Sequence, residues 1–410
     1  MTGISYIRAG WLIDGSGGPI LRDVVMTITE GSITHIEKYS EQIVQHRKLT
    51  ADFSFGAVMP PFIDSHVHLA MSGSMDQQTR ENQLVAGCEE LEPYIETHLE
   101  QLFNHGVLTV RDGGDRDNCV HTYLNRAASL KFPVQVITPG RAWHRKGRYG
   151  GLIGRCPAQG ETLAEAYLRE EGHTSFIKLV NSGLNSLKNY GKETAPQFNA
   201  EEIRMLVREA EKDGRKVMVH ANGKLPVQEA VEAGCHSIEH GFFMGRENLE
   251  LMARKGCFWV PTVCTMKAYA EILSYQGNVN GEVVARKNLQ HQLDQLRLAR
   301  EIGVKVVLGT DSGSPGVLHG EGVFEEMKLF TKAGYSLEEI VQSATSLGAE
   351  LLGITEAGLL QKGRPADFLV TRGTPAQLPR KFSYLESIYL AGKPSEIYLK
   401  NPMKHVQGTD

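Results

Sequence analysis

Val58-Met-Pro-Pro-Phe-Ile-Asp-Ser-His-Val-His-Leu69 is the stretch of sequence from which the fold can be worked out. Its apolar and β-branched residues predict a buried strand, and Pro60 and Pro61 fit only at the start of such a strand. His66 and His68 lie two residues apart near its end, and positions i and i+2 of a strand point to the same face. Two imidazoles on one face can bind one divalent metal ion if oxygen ligands come from elsewhere. For this pair alone, two histidines at the exposed end of an ordinary strand are an equally good interpretation.

The composition is ordinary for a globular protein with a sizeable core, since 41% of the 410 residues are hydrophobic and 22% are charged. The formal net charge of −4 and the scattered Lys and Arg residues argue against nucleic acid or an anionic membrane as a partner. No apolar run reaches membrane-spanning length, and the first residues lack the basic start and apolar core of a signal peptide. We therefore expect a cytoplasmic protein.

The cysteines show no paired C-x-x-C spacing. They are Cys88, Cys119, Cys156, Cys235, Cys257 and Cys264. This pattern predicts small buried hydrophobic residues in a reducing compartment rather than a disulfide framework or a thiolate zinc site.

Short strands are predicted at both ends of the chain, separated by glycine-rich turns. The N-terminal candidates are Ile4–Ala9, Trp11–Ile13, Val24–Thr29 and Ser32–Ile36, and the C-terminal candidates are Asp367–Thr371, Phe382–Leu390 and Glu396–Leu399. Chain ends tend to lie close together. Residues 1–57 and 356–410 are therefore predicted to form one composite β-sandwich domain beside a central domain of residues 58–355.

The central domain alternates strands with amphipathic segments, which is typical of a parallel α/β fold. Its strand candidates are Ala57–Leu69, Leu108–Asp112, Val134–Thr138, Phe176–Asn181, Lys216–His220, Ser237–His240, Phe258–Thr262 and Val304–Asp311. Helix candidates between and after them are Tyr94–Asn104, Ala200–Lys212, Pro226–Glu232, Glu247–Lys255, Lys287–Ile302, Gly322–Ala333 and Ser336–Leu352. Eight such units predict a closed (β/α)8 TIM barrel, with an open doubly wound sheet as the structural alternative.

Three connections are longer than a typical turn, namely Met71–Glu89, Asn181–Gln197 and Met266–Gly281. Each follows a predicted strand, so each would lie over the C-terminal mouth of the barrel. They are candidate substrate walls or lids, although simple surface excursions would have the same appearance.

The ends of several predicted strands carry side chains that can take part in metal binding. Beyond His66 and His68, the fourth strand carries Lys178 between apolar neighbours, and the later strand ends carry His220, His240 and Asp311. A histidine that ends a strand can be purely structural, and Asp311 could simply be a turn former. A buried lysine must be paired, deprotonated or modified, because an isolated ammonium is costly to bury. All six residues fall where a barrel of this type places its active site, which favours a shared site.

The chain resembles the amidohydrolase superfamily of metal-dependent hydrolases along nearly its whole length. The motifs that carry the resemblance are Trp11-Leu-Ile-Asp-Gly15, Gly31-Ser-Ile-Thr-His-Ile36, Met59-Pro-Pro-Phe-Ile-Asp-Ser-His-Val-His68, Ser237-Ile-Glu-His-Gly241, Gly309-Thr-Asp-Ser312 and Gly358-Leu-Leu-Gln-Lys-Gly-Arg-Pro-Ala-Asp-Phe-Leu-Val370. The stretch from Phe176 to Thr262 is similar to the prolidase-like, imidodipeptidase branch.

This resemblance implies two divalent metal ions, most often Zn²⁺ with Mn²⁺ as the other option. His66, His68 and Asp311 would bind the more buried ion, and His220 and His240 the second. Lys178, carrying a CO₂-derived carbamate, would bridge both ions, which would also resolve the cost of burying its ammonium.

The resemblance further implies hydrolysis of an amide-type C–N bond in a small molecule by a metal-bridging hydroxide. Asp311 would take the proton from this hydroxide and pass it to the leaving amine. Because the metal ligands are neutral histidines and a titrating aspartate, activity should be lost on the acid side. Substrates in view are a dipeptide, an N-acyl amino acid, an aryl amide or a carbamate, and a homo-oligomer is common among similar enzymes.

Candidate substrate residues follow the third and fourth strands. The family's usual Gly-Gly-His is replaced here around Arg148 and Tyr149, which puts dipeptide specificity in doubt. Arg141, His144 and Arg148 could bind a carboxylate, since arginine does so bidentately, and a solvated basic loop is the alternative. Tyr190 could donate a hydrogen bond to the tetrahedral oxyanion, or could simply pack.

Two other functions remain open from the sequence. One is a mononuclear deaminase or dechlorinase acting on a heteroaromatic ring. Such relatives carry a glutamate three residues after the fifth-strand histidine, where this chain has Gly223, and Lys178 would have no role. The other is a metal-free scaffold that kept the barrel, against which the intact ligand set argues.

Overall fold

The computed structural model describes residues 3–42, 48–127, 130–170, 174 and 176–398. Its strands are β1 (Ile4–Leu12), β2 (Leu21–Thr29), β3 (Ser32–Lys38), β4 (Ala51–Met59), β5 (Phe62–Val67), β6 (Val107–Asp112), β7 (Gln135–Ile137), β8 (Ala142–Trp143), β9 (Gly154–Arg155), β10 (Phe176–Val180), β11 (Lys216–Ala221), β12 (Ser237–His240), β13 (Phe258–Val260), β14 (Phe368–Arg372), β15 (Leu385–Leu390) and β16 (Lys393–Pro394). Among these residues, no helix combines the length and the hydrophobicity that crossing a membrane requires.

The helices are α1 (Gln77–Val85), α2 (Cys88–Asn104), α3 (Cys119–Arg126), α4 (Leu163–Arg169), α5 (Ala200–Lys212), α6 (Lys224–Glu232), α7 (Gly245–Lys255), α8 (Cys264–Tyr275), α9 (Val279–Ile302), α10 (Glu321–Lys332), α11 (Leu337–Ser343) and α12 (Ser346–Leu352), with a short 3₁₀ helix at Pro375–Gln377. Helix α5 has the predicted bounds, and its predicted apolar face is buried against the barrel. The single helix predicted for 336–352 was wrong, because the chain breaks at Ala344 and Thr345 into α11 and α12.

Strands from both chain ends form one sheet, which in the described residues has the order β16-β15-β14-β4-β1-β2-β3. Alternate residues of these strands bury one apolar cluster that includes Ile7, Met26, Phe368 and Val370. The pairing of N- and C-terminal strands matches the prediction, although residues 396–398 form no strand and Leu399 lies outside the described residues. The domain boundaries at 57 and 356 stay a prediction.

The stretch that was predicted as one strand, Ala57–Leu69, is two strands in two different sheets. β4 pairs with β1 and β14 in the terminal sheet, whereas β5 pairs with β6. The break falls at Pro60 and Pro61, whose backbones have no N–H to donate to a ladder. The prolines therefore mark the passage between the two parts of the molecule rather than the start of one long strand.

The central strands are parallel and follow one another in a ring, as predicted for a barrel. β5, β6 and β7 pair in order, and β8 and β10 to β13 pair in order. The predicted third strand, Val134–Thr138, is the short strand β7, and a separate two-residue strand, β8, follows it; β7 contacts the second strand and β8 contacts the fourth.

Residues 304–311 complete the ring without forming a regular strand. Their backbone bonds to β13 through Trp259 and to β5 through Ser65 and His66. Gly309 allows the close approach to β5, since a Cβ there would lie 3.0 Å from the backbone nitrogen of His66. This contact brings the end of the eighth segment directly beside the end of the first strand.

The expectation that all cysteines are free was wrong for one pair. Cys88 and Cys119 form a disulfide, whereas Cys156, Cys235, Cys257 and Cys264 are free. The bonded cysteines open α2 and α3, two helices that pack side by side. Their sequence separation of 31 residues carries no sign of this proximity. The cysteine pattern therefore no longer supports the prediction of a reducing compartment.

Candidate metal centre

His66 lies at the C-terminal end of β5 and His68 follows directly after this strand, and both side chains are buried. Their ring centroids are 5.5 Å apart. Asp311 reaches them from the last barrel segment, with its Oδ1 3.6 Å from His66 Nε2 and 3.4 Å from His68 Nε2. One ligand atom from each of the three residues lies within 4.8 Å of the others, which makes the group a candidate metal site.

His220 and His240 end β11 and β12 and extend the same cluster. Their ring centroids are 4.6 Å apart, and the centroid of His240 is 5.0 Å from that of His66. His240 and Asp311 both have positive φ angles, of 67° and 59°, which non-glycine residues adopt rarely. Such strain often accompanies functional sites, where it aims side chains that relaxed backbone would point elsewhere.

Lys178 lies in the middle of β10 and is 1% exposed. Its Nζ has no hydrogen-bond partner among the described residues. Burial lowers the pKa of Lys178 to about 8, and its charge helps to lower the pKa of His66, His68, His220 and His240. The structure thus brings together all six residues that the sequence had placed at one site.

The hydrogen bonds behind the imidazoles determine which ring nitrogen is available. The Nδ1–H of His66 donates to Glu239 Oε2 over 2.6 Å, and the Nδ1–H of His68 donates to the Gly114 carbonyl over 3.1 Å. Both residues therefore keep the Nε2 lone pair toward Asp311. His220 is the reverse, since its Nε2–H donates to the Gly183 carbonyl over 3.3 Å and leaves Nδ1 as the acceptor.

Burial also keeps these imidazoles neutral. It lowers the pKa of His68 to about 4 and that of His220 to about 3, and it holds the pKa values of His66 and His240 well below the ordinary range. Burial raises the pKa of Asp311, against the opposing effect of the hydrogen bond from Ser314 and the charge of Lys178. Neutral imidazoles with free lone pairs are the form that binds metal ions.

Glu239 and Arg111 form a fully buried ion pair beneath the histidines that the sequence analysis missed. Both oxygens of Glu239 lie 2.9 Å from Arg111 Nη2, and the guanidinium also donates to the Ser65 carbonyl and to Ser237 Oγ. The carboxylate in turn orients His66. A charged residue inside each of two buried strands was the available signal, because burial of one charge requires a partner.

Of the predicted substrate residues, only Tyr149 lines the cavity above the cluster. His144 is buried against Cys156, and Arg148 is exposed and donates to the Ala195 carbonyl. Tyr190 is 48% exposed and packs edge-on against Phe243. The structure therefore does not bring these three together with the metal cluster, and their roles stay predictions.

The cavity has a volume of about 230 Å³. Its walls come from all three long connections, as predicted, through side chains such as Arg80, Leu187 and Tyr269. Arg80 and Tyr269 were not predicted, because they lie on helices α1 and α8 within segments that were interpreted as loops.

The donor set fits divalent cations. Imidazole nitrogens with a carboxylate oxygen are the ligands that zinc and similar ions prefer. His66 Nε2 and Lys178 Nζ are both buried without a hydrogen-bond partner in the described residues, although buried polar atoms are usually satisfied. A cation between the histidines and a modified lysine would satisfy both atoms.

Comparisons with known proteins agree with this fold. The sequence model of the Amidohydrolase family matches residues 57–399. Ochratoxinase from Aspergillus niger is 24% identical, covering 91% of this chain and 82% of that protein. An imidazolonepropionase from Pyrobaculum arsenaticum is 22% identical, covering 86% of each chain.

Solved structures are similar over nearly the full length. A Xaa-Pro dipeptidase with bound methionine has a TM-score of 0.74 at 24% identity, covering 96% of this chain and all of that one. Phenylurea hydrolase B has a TM-score of 0.73 at 17% identity, covering 96% of this chain and 97% of that one. At these identities the likeness to the solved structures establishes the shared fold.

Proposed function

The chain belongs to the amidohydrolase family and is a hydrolase of carbon–nitrogen bonds, and on that premise we propose that it cleaves an amide-type bond in a small molecule with two divalent metal ions. The observation that carries the proposal is the unpartnered Nζ of Lys178 beside four neutral imidazoles and Asp311. One ion would not need the lysine, whereas two would need an anion between them.

In this proposal His66, His68 and Asp311 would hold the more buried ion, and His220 and His240 would hold the other. Lys178, as a carbamate, would supply oxygen ligands to both ions. Zn²⁺ is the proposed native metal, and Mn²⁺ suits the same donors less well. When bound, such ions lower the pKa of water so that hydroxide is available at neutral pH.

The carbamate forms from the neutral amine. The lone pair of Nζ would form a bond to the carbon of CO₂ while one C=O electron pair moves to oxygen, and the proton released from the nitrogen would pass to water, so that the neutral amine becomes an anion. Burial favours this step because it lowers the pKa of Lys178 to about 8 and so increases the fraction of neutral amine.

The remaining steps belong to residues of the chain. Asp311 accepts a proton from the attacking water and delivers it to the leaving nitrogen. The hydrogen bond of 3.0 Å from Ser314 Oγ to its Oδ2 fixes the orientation of the carboxylate. Glu239 holds the ring of His66, and the apolar walls of the cavity exclude bulk water from the reacting atoms.

The substrate classes proposed are a dipeptide, an N-acyl amino acid, an aryl amide or a carbamate. The similar proteins include an ochratoxinase, a Xaa-Pro dipeptidase and a phenylurea hydrolase, so their names point to more than one kind of small-molecule substrate. A cytoplasmic location and assembly as a homo-oligomer stay predictions.

Metal analysis tests the proposal directly. We expect two divalent ions per chain in the wild-type protein, and hydrolysis of at least one member of a panel of dipeptides, N-acyl amino acids, aryl amides and carbamates. Lys178→Met should lose at least one ion and fall to background hydrolysis, whereas Lys212→Met, at a lysine that is 66% exposed, should change neither. One ion per chain with no dependence on Lys178 would favour the mononuclear deaminase instead.

A further inference from the structure

Arg80 projects from helix α1 into the wall of the active-site cavity. Its Nη1 donates to the Ser72 carbonyl over 2.6 Å and to the Gly313 carbonyl over 3.0 Å. These two bonds tie the connection after β5 to the turn that carries Asp311. The guanidinium is therefore held in place at the cavity rather than free to move with solvent.

The charge of Arg80 has no carboxylate within ion-pair distance among the described residues. Its Nε and Nη2 also have no hydrogen-bond partner in that part of the chain. Burial lowers the pKa of Arg80, against the opposing effects of Tyr269 and Asp311. Since Asp311 is assigned to the metal site, the guanidinium keeps one complete edge, Nε and Nη2, in the geometry that matches a carboxylate.

The rest of the cavity is mostly apolar. Its lining includes Met71, Leu152, Leu187, Met266 and Phe242. Apart from Lys178, which the proposed carbamate converts into an anion, Arg80 is the cationic side chain in this lining. The volume of about 230 Å³ is just below the usual range of roughly 300–1,000 Å³ for ligand pockets, which favours a substrate of about dipeptide size.

We propose that Arg80 binds a carboxylate of the substrate and so makes the enzyme selective for N-acyl amino acids and dipeptides over neutral amides and carbamates. This inference rests on the proposed function. Because Arg80 is bonded to the turn that carries Asp311, the carboxylate lies on the side of the leaving nitrogen. The amine product is then a free amino acid with an apolar side chain, which suits the walls of the cavity.

The test compares ligands that differ only in the carboxylate and contain no amide to hydrolyse. Calorimetric titration of the metal-loaded enzyme measures the affinities for L-leucine and L-phenylalanine and compares them with the affinities for L-leucinol and L-phenylalaninol. A charge-assisted pair predicts about 10- to 100-fold tighter binding of the amino acids. Arg80→Met should reduce this ratio to near one, and Arg80→Lys should retain part of it, because an ammonium keeps the charge but loses the planar fork.

Arg297→Met is the matched control, because Arg297 is half-exposed on α9 and pairs with Asp294 away from the cavity. It should leave the ratio unchanged. If Arg80 had a purely structural role, Arg80→Met would weaken the binding of the amino acids and of the amino alcohols equally, and that result would overturn the inference. Equal binding of both kinds of ligand by the wild-type enzyme would also overturn it. If the enzyme bound carboxylates selectively but hydrolysed no member of the substrate panel, the proposed function would be refuted. If it hydrolysed neutral aryl amides but did not bind carboxylates selectively, only the role of Arg80 would be refuted.

Discussion

Replacing Glu239 with glutamine is expected to leave the Arg111 guanidinium buried without an anion. Glu239 is fully buried, and Arg111 Nη2 lies 2.9 Å from both of its oxygens. The two further bonds from Arg111, to the Ser65 carbonyl and Ser237 Oγ, hold the guanidinium where it is. Breaking a buried pair by neutralising one partner costs about 3–5 kcal/mol, so Glu239→Gln should destabilise the metal-free protein by that amount.

Differential scanning calorimetry in the presence of a chelator measures the effect. With roughly 2 cal/mol/K of unfolding entropy per residue, a chain of 410 residues changes its midpoint by about 1 °C per kcal/mol. The expected decrease for Glu239→Gln is therefore roughly 3–6 °C. Glu350→Gln is the matched control, since Glu350 is half-exposed and its pair with Lys305 is worth less than about 1 kcal/mol.

A double variant separates the pair from general disruption of the core. Arg111→Met combined with Glu239→Gln removes both charges, so it should be more stable than Glu239→Gln alone. The loss of the carboxylate behind His66 should also weaken metal binding by about 10- to 100-fold in a chelator competition. A midpoint for Glu239→Gln within 1 °C of the wild type, or simple additivity in the double variant, would refute this reasoning.

Two further predictions concern protons and thiols. Burial lowers the pKa of His220 to about 3, whereas an unfolded histidine has a pKa of about 6.5. Between these two pH values the unfolded chain binds a proton that the folded chain does not bind. The free energy of unfolding therefore falls by about 1.4 kcal/mol for each unit by which the pH is lowered. His220→Gln lacks this effect, so calorimetry of metal-free protein should show the variant gaining about 2 kcal/mol relative to wild type between about pH 7.5 and pH 5, and a constant difference would contradict the buried neutral state. Cys88 and Cys119 close a loop of 31 residues, so Cys88→Ser with Cys119→Ser should lower stability by about 3–4 kcal/mol. Thiol titration of the unreduced, denatured protein should detect four free cysteines, and six would contradict the disulfide.

Periodicity and strand-end chemistry predicted the barrel and its candidate metal cluster. The parallel strands were recognisable because each is short, apolar and followed by an amphipathic segment. The C-terminal ends of such strands meet at one mouth, so His66, His220 and Asp311 could be placed together without coordinates. Lys178 was conspicuous because a lone charge in an apolar strand needs an explanation.

Features that depend on distant contacts were not predictable in the same way. The break at Pro60 depends on which sheet each flanking strand joins, and local pattern alone does not contain that information. Arg80 was missed because α1 is a short helix, and helices of this length are stabilised by tertiary packing more than by propensity. Arg148 stood out as a basic residue, but its position against the Ala195 carbonyl is set by another loop.

The amino-acid sequence by itself predicted the parallel α/β barrel and the six polar residues at its strand ends, because these follow from side-chain periodicity and from the geometry of parallel strands. Only the tertiary structure decided the buried Arg111–Glu239 pair, the disulfide between α2 and α3 and the place of Arg80 at the cavity. Each of these depends on two segments that are far apart in the chain, and their approach is governed by packing of the whole core rather than by either segment alone.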